Sequence, residues 1–69
     1  MYRIPVVSSN IASIGYDDKS TTLEIQFLDG SIYQYFDVPK RVYEDMMAAN
    51  SKGKYLAYHI KGHYRYVRV

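Results

Sequence analysis

The stretch Thr21–Pro39 constrains this chain more than any other. Two runs of β-branched and aromatic residues, Thr21 to Leu28 and Ser31 to Asp37, flank Asp29-Gly30. Asp-Gly between such runs signals a hairpin, because glycine takes the left-handed backbone that tight turns need. Two registers are open. A two-residue loop, Asp29-Gly30, pairs Leu28 with Ser31 and gathers Leu23, Ile25, Phe27, Ile32 and Phe36 on one face, with Tyr33 and Tyr35 on the other. A three-residue loop, Leu28-Asp29-Gly30, pairs Phe27 with Ser31 and gathers Leu23, Ile25, Phe27, Tyr33 and Tyr35. A one-residue slip reverses the faces of a strand. The turn therefore decides whether the two tyrosines are core or an exposed stacking platform. The three-residue loop is the preferred reading: it leaves no amide inside, puts Glu24, Gln26 and Gln34 together outside, and uses Gly30 for the positive φ.

Around the hairpin the pattern predicts an α+β fold: an antiparallel β-meander of three strands plus a C-terminal strand, with one face covered by two short helices. Residues 1–69 make a single domain. Residues 1–9 are an N-terminal extended segment, where Tyr2, Ile4, Val6 and Val7 offer a short edge strand although Pro5 cannot donate to a ladder. Ile11 to Tyr16 is the first strand, with Ile14 and Tyr16 on one face and Ile11 and Ser13 on the other. Pro39 suits the first turn of a helix running over Arg41 to Ala49. Its apolar stripe is Val42, Tyr43, Met46 and Met47, continued by Asn50. A second helix, about Lys54 to Lys61, is capped by Ser51 or Asn50 and ended by Gly62, with Tyr55, Leu56, His59 and Ile60 on one side. His63 to Val69 reads as the final strand, with Tyr64, Tyr66 and Arg68 on one face and Arg65, Val67 and Val69 on the other.

Composition narrows the function classes. The 69 residues contain no cysteine, which excludes disulfides and thiolate chemistry and fits a cytoplasmic setting. There is no signal-like apolar run and no stretch near the ~18 apolar residues of a membrane span. No nucleophile–base setting, phosphate loop or paired carboxylate is present, so no enzyme activity and no cofactor is expected. His59 and His63 lie four apart, but Gly62 intervenes and no third ligand is evident, so no metal site is expected; His59 reads as a core-edge residue.

Binding is the better class. Nine tyrosines stand in a chain with no tryptophan. Residues 1–49 hold four basic residues against seven acids, a net −3, whereas residues 50–69 hold five basic residues and no acid. Such asymmetry suggests a basic face for an anionic partner. Tyr64-Arg65-Tyr66-Val67-Arg68 interleaves cations with rings, the combination that holds single strands. Ser51-Lys52-Gly53 precedes a helix, where free amides favour a phosphate. The candidate site for RNA or another phosphate-bearing ligand is therefore Ser51, Lys52, Lys54, Lys61, His63, Tyr64, Arg65 and Arg68. The alternative is a homo-oligomer that holds a nucleotide, or a protein-interaction module using an edge strand with Ile32 and Phe36. Those two residues are otherwise covered by Tyr2–Val7.

Several pieces agree in order and spacing with a known family: Ser8-Ser9-Asn10-Ile11, Ile14-Gly15-Tyr16-Asp17, Leu23-Glu24-Ile25-Gln26-Phe27, Tyr33-Gln34-Tyr35, Val38-Pro39, Ser51-Lys52-Gly53, His59-Ile60-Lys61 and Tyr64-Arg65-Tyr66. Over roughly residues 8–68 the chain resembles the KTSC domain, named for its place at the end of some lysyl-tRNA synthetases. The resemblance implies a free-standing small protein of bacteria or phages. It suggests RNA as a partner and supplies no catalytic residues.

Overall fold

The hairpin closes on the three-residue loop. In the computed structural model, which describes residues 1–69, the Phe27 amide donates to the Ser31 carbonyl at 2.9 Å and the Gly30 amide to the Phe27 carbonyl at 3.0 Å. Gly30 has φ +92°, a backbone that only glycine adopts without strain. The Asp29 carboxylate accepts from both the Ser31 amide, at 2.9 Å, and the Ser31 hydroxyl, at 2.7 Å, and so locks the turn. Ile25 accordingly sits opposite Tyr33, and Leu23 opposite Tyr35.

The hairpin is strands β3 (Thr22–Phe27) and β4 (Ile32–Tyr35) of a sheet that also contains β1 (Ile4–Pro5), β2 (Ile11–Asp17) and β5 (Tyr66–Arg68). The five strands run antiparallel in the order β1-β2-β3-β4-β5. The sheet thus has one strand more than the meander and C-terminal strand expected from sequence. Ile4 and Pro5 pair with Ile14 and Ser13 at the edge, the position where a proline's missing N–H is tolerated.

One face assignment is corrected. Ile11 lies not opposite Ile14 and Tyr16 but on their face, fully buried. The register of β2 against β3 shifts between Ile11 and Ser13, a β-bulge at Ala12. The extra residue cancels one step of alternation and returns Ile11 to the core.

Helices α1 (Lys40–Ala48) and α2 (Lys52–Tyr55), the latter continuing into a π-wound turn at Leu56–Ile60, cover part of this inner face. Pro39 stands just outside α1 as its N-cap. Of the expected stripe, Met46 is buried and Val42, Tyr43 and Met47 are half-buried, but the helix ends before Asn50, which is exposed. Ser51 caps α2, its hydroxyl accepting from the Lys54 amide at 3.3 Å. Gly62, φ +82°, follows the π turn. His59 is exposed rather than at the core edge. The core is Ile11, Ile14, Leu23, Ile25, Tyr35, Val38, Met46, Leu56 and Ile60, each aliphatic member contributing roughly 1.5–3 kcal/mol by burial. Neither helix is long and apolar enough to cross a membrane.

The outer face is closed differently, by a polar network. Glu24 is buried there, only 5% exposed. Its carboxylate accepts from the Arg3 guanidinium and, at 2.8 Å, from the Gln34 amide. Arg3 also donates to the Ser13 hydroxyl at 3.0 Å, and that hydroxyl donates to Gln26 at 2.9 Å. The N-terminal residues lie across Gly15, where a Cβ would come within 2.6 Å of the Tyr2 carbonyl. Burial alone would push the Glu24 carboxyl up. The hydrogen bonds from Gln34 and Arg3, together with the Arg3 charge, outweigh burial and hold it below the usual glutamate range. A carboxyl lowered in the folded state contributes stability above its unfolded value, lost as pH falls through the folded one. Arg3→Ala should therefore destabilise by about 2 kcal/mol, below the full figure for a broken buried pair because Arg3 keeps some water contact. It should also move the acid loss of stability to higher pH. Denaturant melts between pH 3 and pH 7 test both, and an unchanged acid limb would exclude the ion pair as the cause.

Candidate nucleic-acid interface

The helices do not cover the whole inner face. Beyond them, β4 and β5 leave a strip of rings open. Strand pairing sets Tyr35 opposite Tyr66 and Tyr33 opposite Arg68, so all four side chains share the inner face. The Tyr66 ring lies 5.9 Å from that of Tyr33 and 5.8 Å from that of Tyr35. Tyr33 in turn meets Phe27 edge-on at 5.7 Å. Exposure rises along this row, from Tyr35 at 4% to Tyr66 at 61%. Burial pushes the Tyr35 phenol above its ordinary range, with smaller contributions from Tyr33 and Tyr66.

These rings floor a cleft of about 570 Å³ that Ser31, Lys61 and Gly62 also line. The Lys61 ammonium stands 5.8 Å from the centre of the Phe27 ring, a cation–π distance. Lys61 is the residue at the end of the π turn. The Lys61 amide donates to the Leu56 carbonyl at 2.9 Å, five residues back, and left-handed Gly62 then turns the chain away. Single π turns inside helices recur at functional sites.

The structure brings together only part of the expected set. Lys61 is on the cleft rim. Arg68 stands on the same face toward the hairpin tip. There it adds to the Ser31 hydroxyl and amide in holding the Asp29 carboxyl low. His63 is exposed just past Gly62, and Tyr64 is half-buried against the core. Arg65 goes to the other face: its guanidinium pairs with Asp37 at 2.7 Å and lies 5.5 Å over the Phe36 ring. Ser51 is occupied as the α2 cap, and the Lys52 ammonium donates to the Ala49 carbonyl at 3.1 Å. Lys54 is exposed in a separate groove of about 380 Å³ with Ser9, Asn10 and Tyr58. The start of α2 is also filled, since a Cβ at Gly53 would lie 2.6 Å from the Asn10 amide oxygen.

The ring residues Phe27, Tyr33, Tyr35 and Tyr66 were absent from the expected set. The signal for them was the pairing of a tyrosine-rich last strand with β4, which alternation alone cannot establish.

A KTSC domain model matches residues 7–64. The chain belongs to the KTSC domain family. The crystal structure of a KTSC domain protein from Yersinia pestis superposes with a TM-score of 0.93 at 45% identity, covering 99% of this chain and 96% of that one. An uncharacterized protein of Stutzerimonas stutzeri is 37% identical over 100% of this chain and 99% of its own length. A lysine–tRNA ligase of Nostoc punctiforme is 43% identical over 58 residues, 84% of this chain but 10% of the ligase. The family thus occurs both at the length of this chain and as a small part of a much larger enzyme.

The exposure gradient across the KTSC cleft sets a prediction. Tyr35→Ala should cost about 3 kcal/mol as a vacated aromatic core site. Tyr66→Ala should cost less than about 1 kcal/mol, as surface positions do. Urea unfolding measures both, and equal losses would mean that Tyr66 is core rather than open surface.

Proposed function

We propose that this KTSC domain is a non-catalytic module that binds single-stranded RNA, or another single-stranded nucleic acid, in the tyrosine cleft. The exposed Tyr66 ring, beside Tyr33 in a cleft that Lys61 also lines, with Arg68 on the same face toward the hairpin tip, carries the reading. Every base has a π-face that stacks on such a ring, so affinity comes without sequence preference. The two cations neutralise adjacent phosphates and release their counterions. The cleft volume lies within the range of pockets that hold a small organic group. The similarity to a segment of enzymes named lysine–tRNA ligase points in the same direction. A nucleotide-holding module would use the same rings, and strand length separates the two readings.

Fluorescence polarisation with labelled RNA, single-stranded DNA and mononucleotides at two salt concentrations is the test. Affinity should rise with strand length and fall with salt, by about 0.7 log units per decade of salt for each phosphate contact on a single strand. Tyr66→Ala should weaken binding by ~1–3 kcal/mol, the loss of one stacked base. Lys61→Glu with Arg68→Glu should remove most of the binding, whereas Lys54→Glu and Arg65→Glu, away from the cleft, should leave it nearly unchanged. Mononucleotides binding as tightly as oligonucleotides would favour the nucleotide-holding reading. Absence of binding at low salt would reject both.

A further inference from the structure

The two edges of the sheet are not alike. β1 is two residues long and includes Pro5. β5 has neither proline nor glycine, and all three of its residues are exposed, Tyr66 at 61% and Val67 at 44%. Its ladder to β4 uses alternate residues: the Phe36 amide donates to the Arg65 carbonyl and the Val69 amide to the Ile32 carbonyl, both at 2.9 Å. By strand alternation, Tyr66 and Arg68 turn their N–H and C=O groups to the open edge. An open edge of this kind templates pairing with another strand.

We propose that β5 pairs antiparallel with β5 of a second copy of this chain, about a two-fold axis at Val67, joining two sheets into one of ten strands. Self-complementarity selects this partner and this register. Centred on Val67, Tyr66 lies opposite the partner's Arg68, and both residues use both of their backbone groups. Each tyrosine ring then has a guanidinium of the other copy directly across the seam on the same face, a favourable cross-strand pair. Val67 meets the partner's Val67 on the outer face. Centring on Arg68 would instead oppose two like charges, and centring on Tyr66 would set Arg68 against Tyr64, which lies outside the strand. The charges of β5, which would repel a second copy in the Arg68 register, thus favour the Val67 one. The two-fold keeps both inner faces on one side, so the two clefts adjoin and the partner's Arg68 lines the outer wall of each. Association does not depend on the nucleic-acid reading; only a ligand spanning both clefts would.

The chain has no cysteine, so single-cysteine variants report the register directly. A Val67 pair facing across the axis is a non-hydrogen-bonded pair with Cα atoms about 4.5 Å apart, within the range a disulfide bridges. Under mild oxidation of dilute protein, Val67→Cys should form a covalent dimer at least about ten-fold faster than Val69→Cys, whose copies lie several residues apart in this register. In sedimentation equilibrium the wild-type mass should rise from one chain toward two with concentration. Val67→Glu, which opposes two carboxylates across the axis, should stay at one chain with an unchanged circular dichroism spectrum. Equal cross-linking rates, a wild-type mass of one chain throughout, or a dimer that persists in Val67→Glu would each overturn the proposal. The cross-linking comparison remains decisive if Val67→Glu fails to fold. RNA binding by a chain that stays monomeric would leave the cleft assignment standing alone.

Discussion

The left-handed turn at Gly30 is the constraint on which the rest depends. It makes the loop three residues, and that length puts Tyr33 and Tyr35 on the same face as Leu23 and Ile25. With one residue fewer, Gln34 would enter the core and the tyrosines would leave it. The core would lose Tyr35, its one aromatic member, and the cleft would lose its floor. A few hydrogen bonds around Asp29 and Ser31 therefore fix both a hydrophobic layer and a candidate binding surface. One register serves stability and recognition together because the two use successive residues of one strand face.

The sheet solves its two faces by different physics. Inside, aliphatic residues meet two helices and burial supplies the energy. Outside there is no helix, and the chain covers Glu24 with its own N-terminus. A buried carboxylate is tolerable only when its lone pairs are met, and Arg3 with Gln34 meets them. Gly15 makes this possible, because any side chain there would collide with the Tyr2 backbone. The short strand β1 is thereby held by a charge pair as well as by its two-residue ladder.

Much of the fold was legible in the sequence. Asp29-Gly30 announced the turn, Pro39 and Gly62 bracketed the helical region, and the apolar stripe of α1 was correctly read to its last turn. What escaped was non-local. The bulge at Ala12 inverts Ile11 without leaving any mark in composition, since alternation reads strands as unbroken. Tyr2–Val7 did offer a short edge strand, but which of its residues pair, Ile4 and Pro5, is set by the neighbour's edge. The site suffered more, because charge counted along the chain is not charge gathered in space. Lys52 and Lys54 sit on the far helix, and Arg65 differs from Arg68 by an odd step and so faces the other way. Only Lys61 lines the cleft, with Arg68 on the same face, and both are placed there by the ring row of β4 and β5, a product of pairing rather than of sequence proximity.

The core takes in Tyr35 of β4 but leaves Tyr66 of β5 mostly open, and what lies uncovered is not what folding alone would put there. Tyr33 has the charged Arg68 opposite it, and solubility would be served by a polar residue opposite Tyr35 as well. The chain instead carries Tyr66, mostly exposed, on a strand whose other edge is open. The helical region ends in a π turn that joins the Lys61 amide to the Leu56 carbonyl, and the Lys61 ammonium stands over the Phe27 ring. Local choices in a sequence normally agree with stability, and departures from it concentrate where function acts. Here an exposed ring, an unusual helical turn and an unprotected edge lie side by side. Their convergence on one strip of one face is what separates this cleft from the groove beside Lys54, where only an ordinary helix cap and a turn meet.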